Sequence, residues 1–376
     1  MAKQAKKKAP KKAKKESGQS LDLALLRSRI DAIDDQFLAL LAERAELAQE
    51  IGHAKATNGT PPHIPERERA ILDRLVAKSA EPLDAASIES VFREIFSVCR
   101  ALERPVSVAF LGPVGTYSHQ AALKHFGSKP TGEPVHTIGE VFDAVERKHA
   151  DYGVVPVENS TEGSINETLD RLLSTSARIC AEVVVEIRHC LLRAPEAEGR
   201  PVRKIYSHPQ PLAQCRQWLL RHYPAAELLA DSSTVRAAER VRGDPEAAAI
   251  GGEWVAEQTG LQIFARDIQD RTSNRTRFLV LGNQKTAPSG SDKTSLLLSV
   301  KDEAGVLEKI LAPFARRKVS LTRIESRPTS GGPWEYVFIL DVAGHAEEPR
   351  VAKAIQEASK KCRQIKILGA YPRALE

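Results

Sequence analysis

Between Leu21 and about Thr57 the chain places Leu23, Leu26, Ile30, Ile33, Phe37, Leu40, Leu47 and Ile51 at intervals built from threes and fours, with no proline and only Gly52 to interrupt. That spacing predicts one long amphipathic helix. Some 35 residues at about 1.5 Å each span roughly 50 Å, more than the width of a compact domain of about 80 residues. The apolar stripe therefore needs a second chain to cover it. Beyond the Pro61-Pro62 break, helices are expected from about Pro65 to Ser79 and from Ala85 to Glu103, making a three-helix unit that intertwines as a dimer. Basic residues interrupt the stripe. Arg44 and Lys55 are eleven residues apart, within roughly 20° of one helix face, so both can reach one anionic ligand. Arg27 lies roughly 100° away on the wheel and points elsewhere, toward a partner's site.

At 376 residues, 42% of them hydrophobic, the chain has room for two to three ordinary cores. No apolar run approaches the roughly 20 residues that span a bilayer, and the basic N-terminus lacks the apolar segment of a secretory signal. The net charge of +6 is local: residues 1–20 carry eight lysines against Glu16 alone, and the remainder is nearly neutral. This stretch alternates Lys and Ala without an apolar face and is expected to be a disordered tail. Binding to nucleic acid is not expected of it, because no aromatic residues interleave the lysines. Cys99, Cys180, Cys190, Cys215 and Cys362 form no C-x-x-C pair, which points to reduced thiols and a cytoplasmic location. No histidine pairing suggests a metal, and no cofactor is expected.

From residue 105 to 286 strands and helices alternate, which predicts a two-lobed α/β unit with a cleft. Strands are expected at Val106–Leu111, Tyr152–Val157, Ala181–Ile187, Lys204–Tyr206 and along the apolar run after Thr276; helices near Gln120–Phe126, Ile138–Arg147, Asn166–Leu173, Leu212–His222, Thr234–Arg242 and Glu253–Thr259. Gly112-Pro113-Val114-Gly115-Thr116-Tyr117-Ser118 lies before a helix and makes an anion site, although it is neither a phosphate loop nor a dinucleotide fingerprint. Polar residues gather at element ends: Glu158-Asn159-Ser160, then Ser207-His208 with Gln214, then Thr276-Arg277. Neighbours in a regular strand face opposite sides, so Thr276 and Arg277 cannot both face one cleft, and adjacent Ser207 and His208 make a weak hydrolase pair. After a Pro/Ser/Gly linker, residues 293–376 read βαββαβ, a ferredoxin-like unit without the aromatic pattern of an RNA-binding module.

Leu40-Leu41-Ala42-Glu43-Arg44, Ile51-Gly52-His53-Ala54-Lys55 and Pro65-Glu66-Arg67-Glu68-Arg69 make residues 21–104 resemble the all-α chorismate mutase domain. The resemblance implies that Arg44, Lys55 and Arg67, with Arg27 of a second subunit, hold the carboxylates of chorismate. It also implies that Lys55 and Glu103 address the ether oxygen and Glu68 a hydroxyl. Ile64, Cys99 and Glu103 depart from residues common in that family. A carboxylate donates a hydrogen bond only when protonated, so Glu103 in that role implies a mutase whose rate depends on pH.

Residues 105–286 closely resemble prephenate dehydratase, through the 112–118 turn, Glu158-Asn159-Ser160, His189-Cys190-Leu191-Leu192, Ser207-His208-Pro209-Gln210 and Thr276-Arg277-Phe278. That resemblance implies loss of hydroxide and carbon dioxide from prephenate, giving phenylpyruvate. Thr276 would be the essential hydroxyl, Glu158, Asn159, Ser207 and Gln214 further catalytic groups, and Arg277 a substrate contact. Gly305-Val306-Leu307 and Glu325-Ser326-Arg327-Pro328 resemble the ACT domain of the same enzymes, which implies phenylalanine as a feedback effector bound between paired domains. The whole pattern implies a bifunctional enzyme of at least two subunits. The rival expectation is a sensor of an aromatic metabolite that binds without turnover.

Overall fold

A computed structural model describes residues 22–58, 60–300, 303–328 and 336–374; the lysine-rich stretch 1–20 lies outside the described residues. Helix α1 (Leu23–Asn58) packs against α3 (Ala85–Glu103), with α2 (Pro65–Val76) beside α3. The long helix can approach α3 because Gly52 has no side chain: a Cβ there would lie 2.8 Å from the Cα of Glu103. Asp84 caps α3, its carboxylate accepting from Ser87 N at 2.8 Å. Most of the α1 stripe remains uncovered, with Leu23 65% and Ile33 62% exposed.

The first α/β lobe contains β1 (Ser107–Leu111), α4 (Tyr117–Phe126), β2 (Thr131–Val135), α5 (Ile138–Glu146), β3 (Tyr152–Asn159), β4 (Gly163–Ser164), α6 (Asn166–Ser174) and β5 (Arg178–Glu186). The second runs through β6 (Cys190–Arg193), β7 (Lys204–Ser207), α7 (Pro209–Gln214), α8 (Arg216–His222), β8 (Glu227–Ala230), α9 (Thr234–Val241), β9 (Ala247–Gly251), α10 (Glu253–Thr259) and β10 (Gln262–Ala265). Strand β11 (Arg275–Gly282) then returns to the first lobe. The sheets are ordered β2-β1-β3-β11-β5, with β4 beside β3, and β10-β6-β9-β7-β8. The return of β11 between β3 and β5 carries the Thr276 segment back to the mouth of the first sheet.

The last unit has β12 (Asp292–Ser299), α11 (Val306–Arg316), β13 (Leu321–Pro328), β14 (Tyr336–Ala343), α12 (Pro349–Ser359) and β15 (Gln364–Pro372), in sheet order β13-β14-β12-β15. Its helices cover one face through Leu296, Leu298, Phe314, Leu340 and Val351. The other face joins the first lobe, where Ile339, Leu368 and Tyr371 share a core with Val155, Ile179 and Leu279. The α/β sheet and the C-terminal sheet therefore share apolar packing.

Two sequence expectations change here. The helix expected over Leu212–His222 is two helices parted at Cys215, whose φ of −108° and ψ of 8° leave the helical region. Helix α4 begins three residues earlier than expected, because Thr116 acts as its cap and accepts from His119 N.

Candidate active sites

In the helical unit a cavity of about 580 Å³ opens between the three helices, lined by Arg44, Lys55, Arg67, Glu68, Arg100 and Glu103 among apolar residues. The eleven-residue spacing brings Arg44 and Lys55 to one wall, as the helical wheel requires. Arg27 stays exposed on α1 and lines no part of this cavity, because seventeen residues of helix carry it roughly 25 Å away. Lys55 Nζ donates to Glu103 Oε2 at 2.7 Å and to Pro62 O at 3.1 Å. Glu103 thus accepts from Lys55 through one oxygen. The Arg44 guanidinium lies over the Phe96 ring and donates to Cys99 Sγ.

Glu68 is tied to Arg100, whose second nitrogen donates to Phe126 O at the end of α4. His63 meets Glu68 at 3.3 Å and His125 of α4 at 2.9 Å. The mutase-like pocket is therefore braced by the neighbouring lobe. Burial pushes both histidines below their ordinary range, the His63–His125 contact adds to this at His125, and Glu68 opposes it. Burial raises the Glu68 carboxyl, but His63 and Arg100 override it and bring it down to about 2.

This cluster has a measurable consequence. Groups depressed in the folded state take up protons sooner when unfolded, so they stabilise the fold above about pH 6.5 and that contribution is lost as pH falls. Both histidines should therefore make the fold less stable at pH 5.5 than at pH 7.5. Glu68, ionised down to about 2, contributes nothing to that window. Melting a His63→Phe/His125→Leu variant at both pH values should show a smaller drop than wild type; equal drops would remove the assignment.

The second cavity, about 250 Å³, lies between the two lobes, with Thr116, Ser118, Asn159, His189, Gln214 and Thr276 in its wall. The turn expected to bind anions opens here, at the α4 N-terminus. Thr276, 8% exposed, accepts from Asn159 Nδ2 at 2.9 Å. The amide orientation follows from its other end: Asn159 Oδ1 accepts from Thr161 N at 2.9 Å and Glu162 N at 3.1 Å. A hydroxyl has one proton, and an amide donor occupies one lone pair, so the Thr276 proton is free to point into the cavity.

Several expected cleft residues face elsewhere. Register along β3 skips Val157, passing from Glu158 opposite Arg277 to Pro156 opposite Phe278. This bulge puts Pro156 and Asn159 on the cavity side and turns Glu158 away, toward Arg277 and Arg323 at 3.7 and 3.5 Å. Arg277, expected as a substrate contact, instead binds Glu182 and Asp341 at 2.7 Å each and Tyr371 at 3.1 Å. It ties β11 to the C-terminal sheet. Ser207 is buried and donates to Ile250 O at 2.8 Å, leaving its neighbour His208 to line the cavity. Gln214 does reach the cleft, where its Oε1 accepts from His189 Nε2 at 2.8 Å and Asn274 Nδ2 at 3.0 Å. Burial lowers the His189 pKa, the Gln214 bond opposing it.

In the C-terminal unit Gly305 takes a φ of 77° to begin α11 at Val306 and Leu307. Along β13 the side chains alternate. Glu325 accepts from Ser164, and Arg327 binds Asp170 and Asn166 of α6, at 2.9 and 2.8 Å. Ser326 and Pro328 take the opposite face. The expected effector residues therefore divide between the dehydratase-like lobe and the helix side of the sheet.

The family models for chorismate mutase type II, prephenate dehydratase and ACT domain match residues 26–104, 108–286 and 294–359. A bifunctional chorismate mutase/prephenate dehydratase of Pseudomonas aeruginosa is 43% identical over 358 residues, covering 94% of this chain and 98% of that protein. The chain belongs to the bifunctional chorismate mutase/prephenate dehydratase family. An Aquifex aeolicus member is 45% identical over 358 residues, covering 94% of this chain and 99% of its own. The prephenate dehydratase of Arthrobacter aurescens, solved with L-Phe, superposes with a TM-score of 0.66 at 35% identity, over 71% of this chain and 90% of that one. Both catalytic domains of the bifunctional enzymes are thus present, with the regulatory ACT domain.

Sequence reasoning overlooked Arg100, His63, His125 and Glu162. Glu162 Oε1 accepts from Gln214 Nε2 at 2.7 Å, and its Oε2 accepts from Gln210 Nε2. A carboxylate three residues past Asn159 was a visible signal, but nothing in its spacing said that it crosses the cleft. Among the described residues no group of three or more His, Cys, Asp or Glu could hold a metal, and no helix is long and apolar enough to cross a membrane.

Proposed function

We propose that the helical pocket rearranges chorismate to prephenate and that the interlobe cleft turns prephenate into phenylpyruvate. A pericyclic rearrangement needs no nucleophile, only a pocket that holds the reactive chair and answers charge developing on oxygen. Arg44 and Arg67 supply carboxylate contacts, and Lys55 lies where it can meet the ether oxygen. Arg27 would complete the site of a second subunit.

The observation that carries the dehydratase reading is the Thr276 hydroxyl, which accepts from Asn159 and lines a cavity beside the N-terminus of α4, so that its own proton is left for a ligand. Aromatisation drives the reaction, so the protein has to protonate or hydrogen-bond the departing hydroxyl and orient the carboxylate for loss as carbon dioxide. Thr276 serves the first task, and the amides at Tyr117 and Ser118 serve the second. Incubation of the purified protein with chorismate should yield phenylpyruvate; binding without product would favour the sensor.

The exposed α1 stripe supports a dimer, and sedimentation as a monomer would rule it out. Phenylalanine is the proposed effector at the ACT domain, lowering dehydratase activity through the contacts of Glu325 and Arg327 with α6 and β4. Titration calorimetry should show saturable binding of phenylalanine to the intact protein, and no heat at millimolar ligand would remove the claim. The unpaired cysteines suit the cytoplasm, which fractionation would check.

A further inference from the structure

We propose that Glu162 is a positioning residue for dehydration, reaching from the first lobe across the cleft to hold Gln214 and Gln210 of the second. The proposal rests on the dehydratase reading of the Thr276 cleft. Glu162 follows β3 in a turn closed by Asn159, and Gln210 and Gln214 belong to α7. The carboxylate accepts one amide on each oxygen. An ionised carboxylate offers no proton, so Gln214 must turn its nitrogen outward to Glu162 and its oxygen inward.

That inward oxygen gathers two donors from opposite lobes. It accepts from His189 Nε2 at 2.8 Å and from Asn274 Nδ2 at 3.0 Å. Asn274 Oδ1 in turn accepts from Asn159 Nδ2 at 2.8 Å, and that same amide donates to Thr276 Oγ1 at 2.9 Å. Every bond from the rim to Thr276 therefore has one permitted direction. The Asn159 end is anchored by backbone amides, while the Gln214 end is anchored by Glu162. With the Glu162 carboxylate removed, Gln214 keeps only the Asn274 bond to the first lobe, and the His189–Gln214–Asn274 junction loosens above the reacting hydroxyl. Glu162 acts on chemistry through these amides, without touching the reacting atoms.

Glu162→Ala, Glu162→Gln and Thr276→Ala should be assayed in the full chain for prephenate turnover, mutase rate and melting temperature. Glu162→Ala is expected to lower dehydratase kcat about tenfold with KM changed less than threefold, mutase and melting temperature holding at wild type. Glu162→Gln keeps one carbonyl acceptor for two amides and should recover part of the loss. Wild-type turnover in Glu162→Ala would overturn the proposal, as would equal losses in both variants accompanied by a lower melting temperature. Full turnover in Thr276→Ala would instead overturn the reading of the cleft itself.

Discussion

Thr276→Ala is expected to lower dehydration of prephenate by roughly 10²- to 10⁴-fold, the range over which a positioned proton donor acts, and to leave the mutase unchanged. The hydroxyl accepts from Asn159 Nδ2 and has no other protein partner in the described residues, so its proton is unspent until substrate arrives. A leaving hydroxide is a poor leaving group without a donor, and Ala supplies none. Thr276→Ser keeps the donor and should retain most of the activity, reduced by the rotational freedom that the lost methyl had restricted. The mutase pocket is built from other helices, which predicts independence of the two activities. The two rates on chorismate and prephenate are the measurement; loss of both together would mean that the substitution acts on folding.

The sequence made Thr276 legible because the apolar run after it can only be a buried strand, and β11 is buried from Phe278 to Gly282. Strict alternation also separated Thr276 from Arg277, and the two do face opposite sides. Glu158 was expected in the cleft from its place at the strand end and from the resemblance, and neither reveals the one extra residue at Val157, which shifts the phase of β3 and places Asn159 in the cleft and Glu158 against Arg323. Ser207 and His208 exposed a different limit, since alternation says that neighbours diverge but not which of them meets the ligand. Strand β9 escaped notice because Ala247-Ala248-Ala249 has little β preference; its place between β6 and β7 comes from burial on all sides. The interdomain contacts of His125 with His63 and of Arg277 with Asp341 join residues 62 and 64 positions apart. No local pattern encodes such pairs.

Lys55→Ala is expected to lower the mutase rate by about 10²- to 10³-fold, comparable to removing one donor from a site of developing negative charge. Glu103 decides how much of Lys55 is available. The two are joined at 2.7 Å with side chains 18% and 11% exposed, and Lys55 also donates to Pro62 O. At half-buried sites opposite charges about 4 Å apart attract by roughly 4 kcal/mol, far more than an ammonium gains from a neutral ether oxygen. Before reaction, then, the carboxylate holds the ammonium; only as the ether bond breaks does the oxygen carry enough charge to compete. Glu103→Gln removes the competitor and supplies an amide donor of similar shape, so mutase kcat should rise by about tenfold, or some 1.4 kcal/mol of the barrier. Lys55→Ala combined with Glu103→Gln should recover part of the single-variant loss, because the amide donates where the ammonium did and no unpaired carboxylate is left in the pocket. The opposite result has an equally definite meaning. If Glu103→Gln slows the mutase, the carboxylate is needed to hold Lys55 in position, and the donor role at residue 103 is wrong.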